Sequence, residues 1–214
     1  MTRTDPKWQR RKTARPGEIV AAALDVFAEN GFAGAKLEEV ARRAGVSKAA
    51  LYVYFETKED LFRAVVRSAI APDLDTIKNT AESLDVPFAM LAPMLLANGA
   101  ALMQTTKLPA VVKMVVGESR NFPDLARIWH DDVVTPIVGV LTGLVARAQA
   151  RGEVSPGDPR LHAISVLGPM LMAMLFRETF GQVTDDLPDL NAMAKQHAET
   201  VLHGLLIHTE GGKS

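Results

Sequence analysis

Apolar residues recur at three- and four-residue intervals along almost the whole chain, and no stretch alternates as a half-buried strand would. The pattern predicts an all-helical protein. Residues 1–14 are polar and basic without periodicity and read as a flexible arm, suited to lie along phosphates or to stay a solvated tail. Pro16 fits a first helical position. Ile19, Ala23, Val26 and Phe27 make the buried stripe of helix one, which Asn30-Gly31 ends. Leu37, Val40, Ala41 and Ala44 give a short second helix its buried face, and a third runs from Lys48 to about Phe55 with Leu51 and Phe55 inward. Thr57 caps a fourth helix of about residues 58–78, through Leu61, Val65, Ile70 and Ile77, with Pro72 as a kink or break. Further helices are predicted at 87–105, 108–119, 122–151, 158–180 and 187–208, with Pro136 and Pro169 kinking the two that hold them.

The break between the second and third helices carries most of the information. Gly45 can adopt the left-handed conformation that stops a helix without steric cost. Ser47 follows as an N-cap whose hydroxyl accepts from the next turn. Two short helices joined so tightly form a helix-turn-helix. The outward face of the second is small at its start. Ala49 and Ala50 let the backbone sink into a major groove, where methyl groups touch thymine methyls, and Lys48 and Val53 share that face. Tyr52 and Tyr54 flank it with hydroxyls suited to phosphate oxygens, and Lys36 and Lys58 add charge for the same purpose.

The sequence AGVSKAALYVYFETKEDLF, preceded by AALDVFAENGF at residues 22–32, resembles the N-terminal domain of the TetR/AcrR transcriptional regulators. Gly31-Phe32, Ala41, Ala44-Gly45-Val46-Ser47, Leu51-Tyr52, Tyr54-Phe55, Lys58-Glu59 and Leu61 fall in that family's register over roughly residues 16–64. The resemblance implies a DNA-binding helix-turn-helix domain over residues 1–57 with a basic arm, and a helical ligand-binding and dimerisation domain over 58–214. It further implies a homodimeric repressor of a double-stranded DNA operator, released by a small apolar molecule, without catalysis. There are departures. The family places Thr-Thr or Thr-Ser ahead of its second helix where this chain has Ala35 and Lys36, so a hydroxyl cap is expected to be missing there. Ala49 replaces a common glycine and favours the helix.

Composition adds bounds. The 214 residues, 48% of them hydrophobic, suffice for one or two buried cores. With no cysteine, disulfides and thiolate metal sites are excluded, and a reducing compartment fits. Apolar runs such as 168–176 are too short to span a bilayer, and no secretion signal is readable, so a cytoplasmic, membrane-free protein is expected. The near-zero net charge hides an asymmetry. Residues 1–67 hold 13 Lys and Arg against 9 Asp and Glu, and residues 68–214 hold 11 against 16. The basic end coincides with the motif, and the acidic remainder is repelled by phosphate.

The last two helices carry broad apolar faces: Leu161, Ile164, Gly168, Leu171 and Leu175 in one, Leu190, Ala194, His197, Val201 and Leu205 in the other. Such helices pack on two sides, and residues 158–208 are therefore expected to build a four-helix dimer interface, with a purely internal core as the alternative. Eight of the nine methionines follow the DNA-binding segment. Their flexible thioethers suit an adaptable pocket, for which Met90, Met94, Met114, Met170 and Met174, with Trp129 and the polar Asn98 and Glu118, are the candidates; an ordinary core is the alternative. Adjacent His130-Asp131-Asp132 fan around a helix and read as a solvated face, not a metal site, and no cofactor is implied. No nucleophile, base and orienter set is readable, which disfavours an enzyme using the C-terminal cavity. A sequence-tolerant DNA-binding protein without a ligand is the other alternative.

Overall fold

The computed structural model of the chain describes residues 7–69 and 86–206, with side chains from residue 16 onward. Its helices are α1 (Lys7–Gly34), α2 (Leu37–Arg43), α3 (Lys48–Tyr54), α4 (58–69), α5 (Phe88–Thr105), α6 (Leu108–Glu118), α7 (Pro123–Trp129), α8 (Thr135–Ala150), α9 (Pro159–Phe180) and α10 (Leu190–Leu205). The described residues hold no strand, and an isolated bridge joins Val154 to Leu206. The all-α expectation holds. The start of α1 needs correction, because the helix begins at Lys7 and takes Pro16 into its interior. Residues 1–6 of the expected arm lie outside the described residues, as do Ile70, Pro72 and Ile77 of the expected fourth helix.

The chain divides into two compact units, one of residues 1–70 with 110–133, the other of residues 71–109 with 134–214. The motif suggested a boundary at residue 57; the first unit instead takes in α4, most of α6, and α7.

In the first unit the core is aromatic. Phe27, Phe32 and Phe62 are buried, with centroids 5.6 Å apart for the stacked pair Phe27–Phe32 and 5.8 and 5.9 Å for their edge contacts with Phe62. Phe122, between α6 and α7, meets Phe32 edge-on at 5.1 Å. Each buried ring contributes roughly 1.5–3 kcal/mol by leaving water, and each pair about 0.5–1.5 more. At Gly31 the helix breaks, as its sequence predicted, with φ 69° and ψ 177°. α2 starts without a side-chain cap at Lys36, the consequence expected of the missing hydroxyl.

In the second unit α10 lies along α5, and α9 along α8. Alanines make the close approach possible: Ala92 and Ala100 of α5 and Ala194 and Ala198 of α10 are buried in one cluster with Phe88, Leu96, Val145, Val166, Met170 and Val201. Pro87 offers no cap to α5, and Glu153 supplies one by accepting from the Phe88 amide at 2.7 Å. The Arg151 guanidinium, and secondarily that amide, hold the Glu153 carboxyl below its usual range. His197 bonds the Val166 carbonyl at 3.0 Å, tying α10 to α9. It is a buried core residue.

One long helix was predicted over 122–151. The structure has α7, a π-helical turn over His130–Val134, and α8. Pro136 withholds the amide that the Asp132 carbonyl would accept, and the π turn absorbs the mismatch. Pro169 instead stays within an unbroken α9.

Candidate nucleic-acid interface

The turn before α3 is built as its residues require. Gly45 sits at φ +66°, the Val46 amide reaches back to the Ala41 carbonyl at 2.9 Å, and the Ser47 hydroxyl accepts from the Ala50 amide at 3.1 Å. Leu51 is fully buried and anchors the short α3. Its opposite face is open. Ser47, Lys48 and Ala49 are exposed and Ala50 half-buried. Val53 is 80% exposed, with Tyr52 and Tyr54 at 42% and 39%. An exposed valine at that level, flanked by tyrosines on a seven-residue helix, has no use in the fold itself.

Three of the cations around α3, Arg42, Arg43 and Lys48, are already engaged by carboxylates. Lys48 pairs with Glu38 of α2, and its ammonium lies 5.9 Å from the Tyr52 ring centre. That pair lowers the Glu38 carboxyl and raises the Lys48 ammonium from their ordinary ranges. Arg42 grips Glu39 at 2.6 and 2.8 Å, and Arg43 bridges Glu39 at 2.7 Å and Glu29 of α1 at 2.7 and 2.8 Å. Arg42 first, then Arg43, hold the Glu39 carboxyl down to about 2. Lys36 is exposed at the start of α2. Lys58 differs from the sequence expectation of a free phosphate contact. Its ammonium sits 4.6 Å from the Phe32 ring centre and 3.4 Å from the Ala33 carbonyl, and burial pushes it below the ordinary lysine range.

The residues expected to line a ligand pocket do not come together within one unit. Met114, Glu118 and Trp129 belong to the first, and Met90, Met94, Asn98, Met170 and Met174 to the second. Met114 is buried and Trp129 half-buried. Met90 is 68% exposed and Met94 38%, and Asn98 is also exposed. Met170 and Met174 are buried. Glu118 is not a pocket anchor: its two oxygens accept from the Phe32 amide at 2.9 Å and the Ala33 amide at 2.6 Å. Nor is Asp132 on a solvated face. It accepts from Arg67 of α4 at 2.9 and 3.2 Å, with Arg63 at 3.9 Å. Both partnerships span more than sixty residues, a separation that leaves no local signature in sequence. The second unit has a groove of about 400 Å³ between α5 and α10, lined by Pro93, Ala97, Asn191, Ala194, Lys195, Ala198, Glu199 and Leu202. It also has a small void of about 10 Å³ walled by Phe88, Ala92, Leu95, Leu141, Leu144, Val145, Ala163 and Val166. Among the described residues no three His, Asp or Glu are grouped to hold a metal ion.

Residues 19–65, which hold α2, α3 and the exposed face just described, match the model of bacterial regulatory proteins of the tetR family, and residues 93–194 match a tetracyclin repressor-like C-terminal domain. The HTH-type transcriptional regulator RutR of Escherichia coli is 30% identical over 172 residues, covering 74% of this chain and 73% of RutR. The chain belongs to the TetR family. It is therefore a DNA-binding transcriptional regulator. The fatty acid metabolism regulator protein of Bacillus subtilis, another relative of this TetR-family chain, is 22% identical over 92% of the chain and 98% of its own length. The same fold appears in a TetR-family regulator from Mesorhizobium loti, with TM-score 0.76, 24% identity, and coverage of 92% and 99%. FadR from Bacillus subtilis, solved with stearoyl-CoA, gives TM-score 0.73 at 20% identity over 89% of this chain and 98% of that one.

Proposed function

We propose that the protein is a dimeric, ligand-responsive repressor that reads its operator with α3. The carrying observation is the open face of that helix over a fully buried Leu51. Lys48, Ala49, Ala50 and Val53 face base edges, while Ser47, Tyr52, Tyr54, Lys36 and, after leaving Phe32, Lys58 meet phosphates. Selecting duplexes from a randomised pool with the full-length protein tests this reading. An enriched motif of two half-sites about one duplex turn apart supports it, and failure to enrich any sequence overturns it.

The dimer is proposed to form through α9. Leu161, Ile164, Leu171, Met172 and Phe176 remain exposed on it, opposite the buried Ala163, Val166, Met170 and Ala173. This apolar stripe is what a second copy would cover. The stripe of α10, in contrast, serves the protomer: Leu190, Ala194, His197 and Val201 are buried against the unit's own helices.

The ligand is proposed to enter beside the small void among α5, α8 and α9. A void of about 10 Å³ holds at most roughly one water, so an apolar ligand can bind only by moving these helices apart. Met170 shares their cluster and can repack around it. Binding that requires such movement has the differential affinity that release from DNA demands. FadR and SmeT were solved with stearoyl-CoA and triclosan, which makes long-chain acyl-CoA and hydrophobic phenols the first probes. Displacement of the protein from its selected duplex by either supports the reading. Conversion of a probe to product would favour an enzyme instead. The site of action is proposed to be the cytoplasm, where the operator lies. By length and composition Phe88–Thr105, Pro123–Ala150 and Pro159–Phe180 could each cross a membrane. Each carries an internal proline and contributes buried residues to a protein core.

A further inference from the structure

The break at Gly31 has a chemical consequence. Departing from helical geometry there removes the carbonyl partners that the next amides would otherwise find one turn back. The Phe32 and Ala33 amides are satisfied instead by the two oxygens of Glu118, eighty-five and eighty-six residues away. The fit is close: a Cβ at residue 31 would collide with Glu118 Oε1, and the backbone there holds φ at +69°. Glycine is thus required twice, once by conformation and once by the carboxylate.

Glu118 occupies its place against local preference. It ends α6, and its own carbonyl accepts from the Asn121 and Phe122 amides that turn the chain into α7. A carboxylate at the negative end of a helix is disfavoured, so nothing in α6 itself calls for this residue. Its two bonds do something only for α1. Four residues beyond Ala33 the chain enters α2, and the tight Gly45 turn joins α2 to α3. The direction in which α3 projects is therefore set from the turn Glu118 holds, with Phe32 wedged among Phe27, Phe62 and Phe122 and roofed by Lys58.

We propose that Glu118 is a positioning residue for DNA recognition, fixing the turn at Gly31–Ala33 from which the recognition helix is aimed. The inference rests on the reading of α3 as the DNA-contacting helix. It assigns to the end of α6 a role in specificity that no contact with DNA would reveal.

Glu118→Gln in the full-length protein is the test. The amide keeps one acceptor and turns a donor toward the second N–H. Affinities are measured for the duplex that the wild-type protein selects from a randomised pool and for a shuffled duplex of equal composition, together with hydrogen exchange at Phe32 and Ala33. Affinity for the selected duplex should fall roughly tenfold, the scale of one lost hydrogen bond to a charged group. Binding to the shuffled duplex, which depends on charge and not on aim, should stay within about twofold. Exchange at both amides should quicken. Unchanged discrimination between the duplexes, or a parallel fall in both, overturns the proposal, since a merely structural role loses folded protein without altering preference. Wild-type protein that selects no sequence overturns the DNA-reading assignment as well, which separates the two failures.

Discussion

Lys48 shows how a single side chain can be both ready and restrained. Its ammonium is placed at the start of α3, yet Glu38 already neutralises it. An exposed pair of this kind contributes little to stability, so its removal is readable in binding. Glu38→Gln should strengthen binding to any duplex and steepen the salt dependence by about one counterion, as titrations across a salt series would show. Lys48→Ala should relax preference at particular base pairs, whereas Tyr54→Phe should weaken all sequences alike, and footprinting of the two side by side distinguishes them. A Lys48→Ala protein with every base preference intact would remove the lysine from base reading. Leu51, fully buried beneath this face, should cost roughly 2–5 kcal/mol when cut to alanine, measured by denaturant unfolding.

Among the helices, caps decide where elements begin. Asp189 accepts from the Ala192 and Asn191 amides, and these bonds, the Ala192 one first, hold its carboxyl below its ordinary 3.8. A carboxylate lowered on folding contributes stability that is complete above its unfolded value and lost as pH falls through the folded one. Asp189→Ala should therefore lower the thermal midpoint at pH 7, and the gap to wild type should close as the pH drops below about 4. Melting curves across that range check the sign. Elements were also where the sequence was most legible. The breaks at Gly31 and Gly45 and the cap at Ser47 are local chemistry written in adjacent residues, and they stand as expected. The π turn before Pro136 was visible only as a disturbance, because a proline announces a missing amide without saying how the helix will adapt. Glu118 and Asp132 could not be read at all. Their partners lie far along the chain, and neither a lone glutamate nor an Asp-Asp pair carries a signature of what it will bond.

For the whole molecule, exposure of one face of α9 makes the assembly prediction specific. Leu171→Glu would place a charge in a buried contact between copies, and light scattering should show the mass fall to that of a monomer. Leu205→Glu is not an equivalent probe, since Leu205 of α10 packs against the protomer's own core and the substitution would strike the fold. A fully dimeric Leu171→Glu would move the interface off α9. Met170→Trp should crowd the core where the ligand is proposed to enter, leaving binding to the selected duplex intact while abolishing its loss on adding acyl-CoA, which paired calorimetry and DNA titrations would resolve. Unaltered ligand affinity in that variant would favour the groove between α5 and α10. The grouping of residues 110–133 with the N-terminal helices has a practical consequence for anyone recombining regulators. A hybrid cut after α3, or at the edge of the C-terminal family match at residue 93, would give the DNA-binding helices a foreign segment in place of Glu118, Phe122 and Asp132. Transplanting operator specificity into another member should require carrying two stretches of chain together, not one.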